Sequence, residues 1–305
     1  MFLRQLEYLA ALDRERHFGR AAAACHVSQP ALSSAIRSLE RELGIPLVRR
    51  ARRLEGFTTE GERVLTWVHR ALADLDGLEQ EVRRLRGGLE GTLRIGAIPT
   101  SLPVSTLVTT PFHERHPRMR IQVMSMSSRQ IAEGLARGEL DAGLTYLDNE
   151  PLADVATLAL WREHYLLLVG AEDGPFAGAV TATWRRASTL RLCLLSPDMQ
   201  HRRIVDGAFE QAGVAPDPAV ETNSISTLIA HARAGLPGIT AHTWLFGHAL
   251  APGLRAIPLV DPVIEHTIGL VTSTDHQRAP VISELVSMFT PLELDAQVQL
   301  ERGGA

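Results

Sequence analysis

The sequence predicts a small all-α winged helix-turn-helix, then one long helix, then an α/β region. Three observations predict it. Residues 3–50 carry three helical periodicities joined by short connections. Residues 59–90 hold one sustained pattern of apolar residues spaced three and four apart. From residue 92 onward, apolar strand-like runs alternate with helical segments.

Composition is consistent with this. At 305 residues, 45% apolar and 22% charged, the chain can bury substantial cores. It is long enough for two or three domains of roughly 100–150 residues. The start of the chain has no charged segment leading into an apolar one, and no long uncharged apolar run follows, so a cytoplasmic protein away from membranes is expected. Cys25 and Cys193 are too few and too far apart for a disulfide framework or a metal cluster, and read as small buried residues. The net charge of -4 is unevenly spread: residues 1–58 hold ten Arg against six acids, and residues 91–305 sixteen against twenty-two. All 31 basic residues are Arg, which reads as a compositional bias of the source genome, although the guanidinium fork suits phosphate and guanine.

Within the first segment, LRQLEYLAALDR (3–14) places Leu3, Leu6, Leu9, Ala10 and Leu12 near one helix face. FGRAAAAC (18–25) makes a short second helix whose alanines let another helix come close. The third element, SQPALSSAIRSLERELG (28–44), carries Leu32, Ala35, Ile36, Leu39 and Leu43 at helical spacing. Ser28 is the expected N-cap. Pro30 fits a first turn, where its missing N–H has no helical partner to lose. With the apolar stripe packed inward, Gln29, Pro30, Ser33, Ser34 and Arg37 fall on the outer surface, where a recognition helix meets base edges and phosphates. Polarity alone would favour an ordinary solvated face; the downstream LVRRARRLEGFTTEG reverses that reading. There Arg49, Arg50, Arg52 and Arg53 precede a Gly-containing turn, as in a two-stranded wing whose arginines reach the DNA backbone or minor groove.

The run AAAACHVSQPALSSAIRSLERELGIPLVRR with the following TTEGE resembles the N-terminal domain of LysR-type transcriptional regulators. GTLRIGAIPT, GELDAGLTYL and AGLPGIT fall where that family's effector domain has similar segments, so the resemblance spans essentially the whole chain. Val48, where the family more often has Phe, and Cys25, where Leu is usual, depart from the pattern away from the DNA face. The resemblance implies a ligand-controlled DNA-binding oligomer, commonly a homotetramer. It would bind double-stranded promoter DNA and alter its bend, and so the access of RNA polymerase.

Residues 1–58 are accordingly the expected DNA-binding domain and 59–90 the linker helix. Thr59 with Glu62 suggests a capping box, and Leu65, Val68, Leu72, Leu75, Leu78, Val82, Leu85 and Leu89 suggest a dimerising two-helix coiled coil with one irregularity between Leu75 and Leu78. Gly87, Gly88 and Gly91 end it as a hinge.

Residues 91–305 are the expected effector-binding domain, with strands at TLRIGAI, MRIQVMSM, DAGLTYL, HYLLLVG and LRLCLLS and helices near 104–115, 128–137, 201–212 and 225–234. The resemblance implies two Rossmann-like lobes like those of periplasmic binding proteins. Crossings near 161–163 and 265–267 give lobe I as about 91–161 with 267–305, and lobe II as about 162–266. Ligands in such folds sit beyond the carboxyl ends of strands. Pro99, Thr100 and Ser101, Ser127 and Ser128, Tyr146, Thr240 and the loop 197–203 with Gln200, His201 and Arg202 meet that description. Each alone suits a cap or turn. Convergent hydroxyls, with His201 and Arg202, would hold a small carboxylate or other anion.

An enzyme is not expected. The chain has no G-x-S-x-G elbow, no G-x-G-x-x-G after a strand, no Walker sequence and no H-E-x-x-H, and its His residues are scattered, so neither cofactor nor metal is called for. An exported solute-binding protein would suit the two lobes but has no use for residues 1–90.

Overall fold

The structure, a computed structural model, describes residues 1–50, 54–170, 176–246, 253–274 and 279–300. Three helices open the chain: α1 (Leu3–Glu15), α2 (Phe18–Ala24) and α3 (Gln29–Leu43). Ser28 caps α3 by accepting a hydrogen bond from the N–H of Ala31 (3.3 Å), Pro30 sits in the first turn, and Gly44 closes the helix at φ 71°. Leu32, Ile36 and Leu39 are fully buried against Leu9, Leu12 and Ala21. Each contributes about 1.5–3 kcal/mol. Leu43 departs from the expected stripe: at the helix end it is 39% exposed.

The wing pairs β1 (Val48–Arg50) with β2 (Leu54–Phe57) antiparallel. Glu40 fixes it to α3 by accepting from the N–H groups of Leu47 (3.0 Å) and Val48 (3.1 Å). Of the wing arginines, Arg52 and Arg53 lie outside the described residues.

The 29-residue α4 (Thr59–Gly87) follows. Its N-cap is Thr58, one residue before the expected Thr59: the Thr58 hydroxyl accepts from the N–H of Gly61 (2.8 Å) and donates to the carbonyl of Pro46 (2.7 Å). The expected single apolar seam divides into two faces. Leu65 and Val68 are buried in the head's own core, and Leu72 packs against it. Trp67, Leu75, Leu78, Val82 and Leu85 are 69%, 40%, 60%, 39% and 73% exposed, and with Ala71 they fall within about 80° of one another around the helix. Leu89 belongs to neither, being buried in the core of the effector domain. The irregularity near Leu75 marks the changeover between faces.

Beyond Gly88 (φ 104°) and Gly91 (φ 127°) the chain enters a ten-stranded sheet. Lobe I contributes β3 (Gly91–Ala97), α5 (Thr106–Arg115), β4 (Met119–Ser125), α6 (Ser128–Ala136) and β5 (Ala142–Tyr146). The strand expected from His164 begins nine residues earlier as β6 (Val155–Gly170), because its first half pairs with a strand from near the C-terminus. Its second half opens lobe II: β7 (Ala182–Thr183), α7 (Trp184–Ala187), β8 (Leu192–Leu195), α8 (Gln200–Gln211), β9 (Pro218–Thr222), α9 (Ile225–Arg233), β10 (Gly238–Ala241) and β11 (Leu254–Val260). The chain returns through β12 (Glu265–Ser273) to α10 (Pro280–Ser287) and α11 (Asp295–Leu300).

The order β4-β3-β5-β12-β6-β10-β8-β9 shows β6 serving both lobes: residues 155–164 pair with β12, and 165–170 with β10 and β11. In lobe I, β3 runs parallel to β4 and β5; in lobe II, β8 runs parallel to β9 and β10. Those carboxyl ends face the junction. Among the described residues, no helix is long and apolar enough to cross a membrane.

Candidate functional site

Two surfaces bear on function. On α3, packing of Leu32 and Ile36 inward turns Gln29, Pro30, Ser34 and Arg37 outward as exposed residues, with Ser33 half-buried. Arg37 donates to the Ser33 hydroxyl (3.3 Å), which ties two members of the polar stripe together. Arg49 is exposed on β1 across from Gly56, and Arg50 lies beside it in the same strand. Arg53 is outside the described residues. If Gln29 reads a base edge, Gln29→Ala is expected to cost about 1–3 kcal/mol on the promoter fragment and far less on scrambled DNA, measured by fluorescence anisotropy. Equal losses on both would reassign Gln29 to backbone positioning.

The second surface is the crevice where the lobes meet. Pro99–Ser101 form one 3-10 turn after β3, burying Thr100 and Ser101. Ser127 caps α6 through a reciprocal pair with Gln130, so its hydroxyl has a local task. Ser128 is buried and accepts from Thr145 (3.0 Å). From lobe II, Gln200 and His201 start α8, and the fully buried Thr240 lies on β10. A cavity of about 10 Å³ brings together Pro99, Thr100, Ser127, Ser128, Tyr146, Gln200 and His201, room for about one water molecule. Ser101 and Thr240 are not in its lining. The lobes are closed on each other.

Arg202 corrects the sequence reading. Although 8% exposed, its guanidinium turns away into Asp206 (2.8 Å), Glu221 (2.5 Å) and the carbonyl of Leu195 (2.8 Å). Those acids hold it within lobe II, so it is not a cation aimed at a ligand.

Glu163, which the sequence reading missed, stands at the first crossing on β6, fully buried. It accepts from Tyr146 of lobe I (2.8 Å) and from Thr243 of lobe II (2.6 Å), joining the lobes through one carboxyl group. Burial pushes its pKa up, against the lowering effect of Thr243, Tyr146 and nearby Thr100. A signal existed: TLALWREHYLLLVG places an acid inside an otherwise apolar strand. Burial also pushes His201 down to about 3, so that ring is neutral. Both its nitrogens lack a hydrogen-bond partner in the fold, as do both amide atoms of Gln200 and the Thr240 hydroxyl. These groups belong to lobe II, and Gln200 and His201 meet Thr100, Ser128 and Tyr146 of lobe I across the cavity.

Comparison with known proteins places this arrangement. Residues 3–62 match the family model described as bacterial regulatory helix-turn-helix protein, lysR family, and residues 86–291 match the LysR substrate binding domain. The chain is 32% identical to the DNA-binding transcriptional dual regulator OxyR of Escherichia coli over 89% of each chain. It is also 32% identical to the probable hydrogen peroxide-inducible genes activator of Streptomyces viridosporus, over 98% of this chain and 97% of the relative. Its fold superposes on a full-length OxyR variant from Pseudomonas aeruginosa with a TM-score of 0.73, at 28% identity over 94% of both chains. A recognition helix with a wing, a long connecting helix and a two-lobed domain closed over a polar crevice are thus joined in one chain, which belongs to the LysR family and is a transcriptional regulator with a DNA-binding helix-turn-helix and an effector-binding domain.

Proposed function

We propose that two copies of the chain pair along the exposed face of α4 and present two α3 helices to successive half-sites of double-stranded promoter DNA. Effector domains join such pairs into a homotetramer. A small molecule between the lobes favours one lobe arrangement, shifts the spacing of the DNA-binding heads, and changes the DNA bend that RNA polymerase meets.

The observation that carries the effector reading is the set of unpartnered buried polar groups on Gln200, His201 and Thr240. A buried donor or acceptor left unpaired costs about 1–3 kcal/mol, so a fold that keeps several together holds a site for something that pairs them. Their chemistry narrows the ligand: they offer donors and acceptors together, and no cation. Arg202 is engaged elsewhere, His201 is neutral, and Glu163 supplies a buried carboxyl. The complementary effector is therefore a small neutral molecule rich in hydroxyl or amide groups. The carboxylate expected from sequence fits only together with a proton, since two carboxyl groups in one dry site cannot both ionise.

Some relatives are described as hydrogen peroxide-inducible genes activators, the Streptomyces viridosporus one as a probable one. A thiol meets peroxide as its thiolate. Burial raises the pKa of both Cys25 and Cys193, and Cys193 is fully buried. We assign effector control of this chain to the crevice between the lobes and not to its two cysteines.

The test is calorimetric titration of the full chain with a panel of small polyols, amides and organic acids. Thr240→Val and Gln200→Leu are expected to lose about 1–3 kcal/mol of affinity, roughly five- to 150-fold, with apo DNA binding unchanged. An organic acid that binds is expected to take up a proton and to weaken by up to about tenfold per pH unit as pH rises. Variants that bind like the parent would place the effector outside this crevice, while the DNA-binding function stands.

A further inference from the structure

Helix α6 reaches from the crevice to the DNA-binding head. Its N-terminal end carries Ser127 and Ser128 in the crevice. At its other end the C-cap residue Arg137 lies 3.6 Å from the carboxylate of Asp13, a residue of α1. Nine residues of helix make the connection, a rigid rod of about 13 Å.

Asp13 is an unusual residue for the core side of a small helical domain. It is 5% exposed, and its carboxylate gathers Arg16 of the head (2.8 Å), His69 of α4 (3.1 Å) and Arg137 of lobe I. An acid buried this far requires partners. Here the partners come from the head, the linker helix and the effector domain. Burial alone would raise its pKa, yet the His69 hydrogen bond and the Arg16 and Arg137 charges hold it below the usual carboxylate range.

Around this contact the head and lobe I are not packed together. A cavity of about 610 Å³ separates them, bordered by Arg14 of α1, His69 and Gln80 of α4, and Arg94, Arg137 and Asp141 of lobe I. Across such a gap a charged pair governs how the two bodies sit without obstructing their movement.

We propose that Arg137 is a positioning residue for the DNA-binding head: α6 links the crevice rigidly to the Asp13 carboxylate, so a shift at the Ser128 end changes the grip on α1. This extends the crevice reading given above and rests on it for the origin of the shift. It requires no ligand to test.

The experiment is hydrogen exchange on the full chain, read at the amides of α1. Arg137→Gln, which keeps length and polarity but loses the charge, is expected to speed α1 exchange by about three- to tenfold although it lies in another domain, and Arg137→Lys to restore most of the protection. Ser128→Val perturbs the crevice end of α6 and is expected to alter α1 exchange in the parent but not in the Arg137→Gln background. Val180→Ala, on the exposed surface of lobe II, is expected to leave α1 unchanged. An α1 indifferent to Arg137→Gln would overturn the proposal, as would a Ser128→Val effect that persists without Arg137. Either result leaves the calorimetric test of the crevice untouched, because that test reads ligand affinity and not the head.

Discussion

Replacing Leu78 and Leu85 together by Glu is expected to break the α4 pairing, so that the oligomer falls apart into species of half its mass or less, and to lower affinity for a two-half-site promoter fragment by about a hundredfold or more. Both side chains lie on the outward face of α4, 60% and 73% exposed in the single chain, so the substitution removes nothing from the chain's own cores. The helix remains anchored at both ends, through Leu65 and Val68 in the head and Leu89 in lobe I. In a pair, four leucine side chains leave the interface. At about 1.5–3 kcal/mol each they contribute about 6–12 kcal/mol, comparable with the roughly 12 kcal/mol of nanomolar pairing. Four glutamates facing one another add repulsion. A head released from its α4 partner presents one recognition helix and loses the gain from binding two linked half-sites. Light scattering reads the mass, and circular dichroism confirms the fold. Retention of the native mass would move the interface away from this face of α4.

The choice of Leu78 and Leu85 shows where sequence periodicity stops being informative. On sequence alone Leu72 and Leu75 occupy the middle of one seam, but Leu72 packs on the head whereas Leu75 is 40% exposed. Residues spaced three and four apart satisfy two neighbouring faces of a helix equally well, and only the tertiary partner separates them. Trp67 went unread for the same reason: it belongs to the outward face and has no place in a seam that starts at Leu65. The helix-turn-helix was legible because its signals are local, with Ser28 as cap, Pro30 in the first turn and Gly44 at the end all acting within a few residues of where they stand. The crevice was legible in part. Loops after strands identify Thr100, Ser128 and His201, but Glu163 gains its role from the pairing of β6 with both lobes, across about a hundred residues of chain. Arg202 failed because helical position does not reveal which way a long side chain turns when Asp206 and Glu221 are within reach.

Gly61→Ala is expected to destabilise the DNA-binding head by about 3 kcal/mol and to reduce DNA affinity at least tenfold. Gly61 sits in the first turn of α4, buried against the chain just before the wing. A β-carbon there would fall 2.1 Å from the carbonyl oxygen of Leu47 and 2.9 Å from its carbonyl carbon. The obstacle is backbone, which cannot rotate aside as a side chain would. That same carbonyl accepts a hydrogen bond from the N–H of Thr58 (2.9 Å), and Thr58 in turn caps α4. To relieve the overlap the helix must shift by about an ångström, which pulls on the cap and on the start of β1, where Glu40 holds the Leu47 and Val48 amides. The wing carrying Arg49 therefore moves relative to α3, and the DNA contacts move with it. Alanine's better helix propensity offsets only about 1 kcal/mol of this. Gly77→Ala isolates that smaller effect: nothing lies within 4 Å of its β-carbon position, so the change is expected to stabilise α4 by about 0.5–1 kcal/mol. Urea unfolding of the two variants beside the parent measures the contrast, and anisotropy with promoter DNA reads its consequence. Should Gly61→Ala match Gly77→Ala in both, the close seating of α4 on Leu47 does not set the geometry of the head, and the wing owes its position to Glu40 alone.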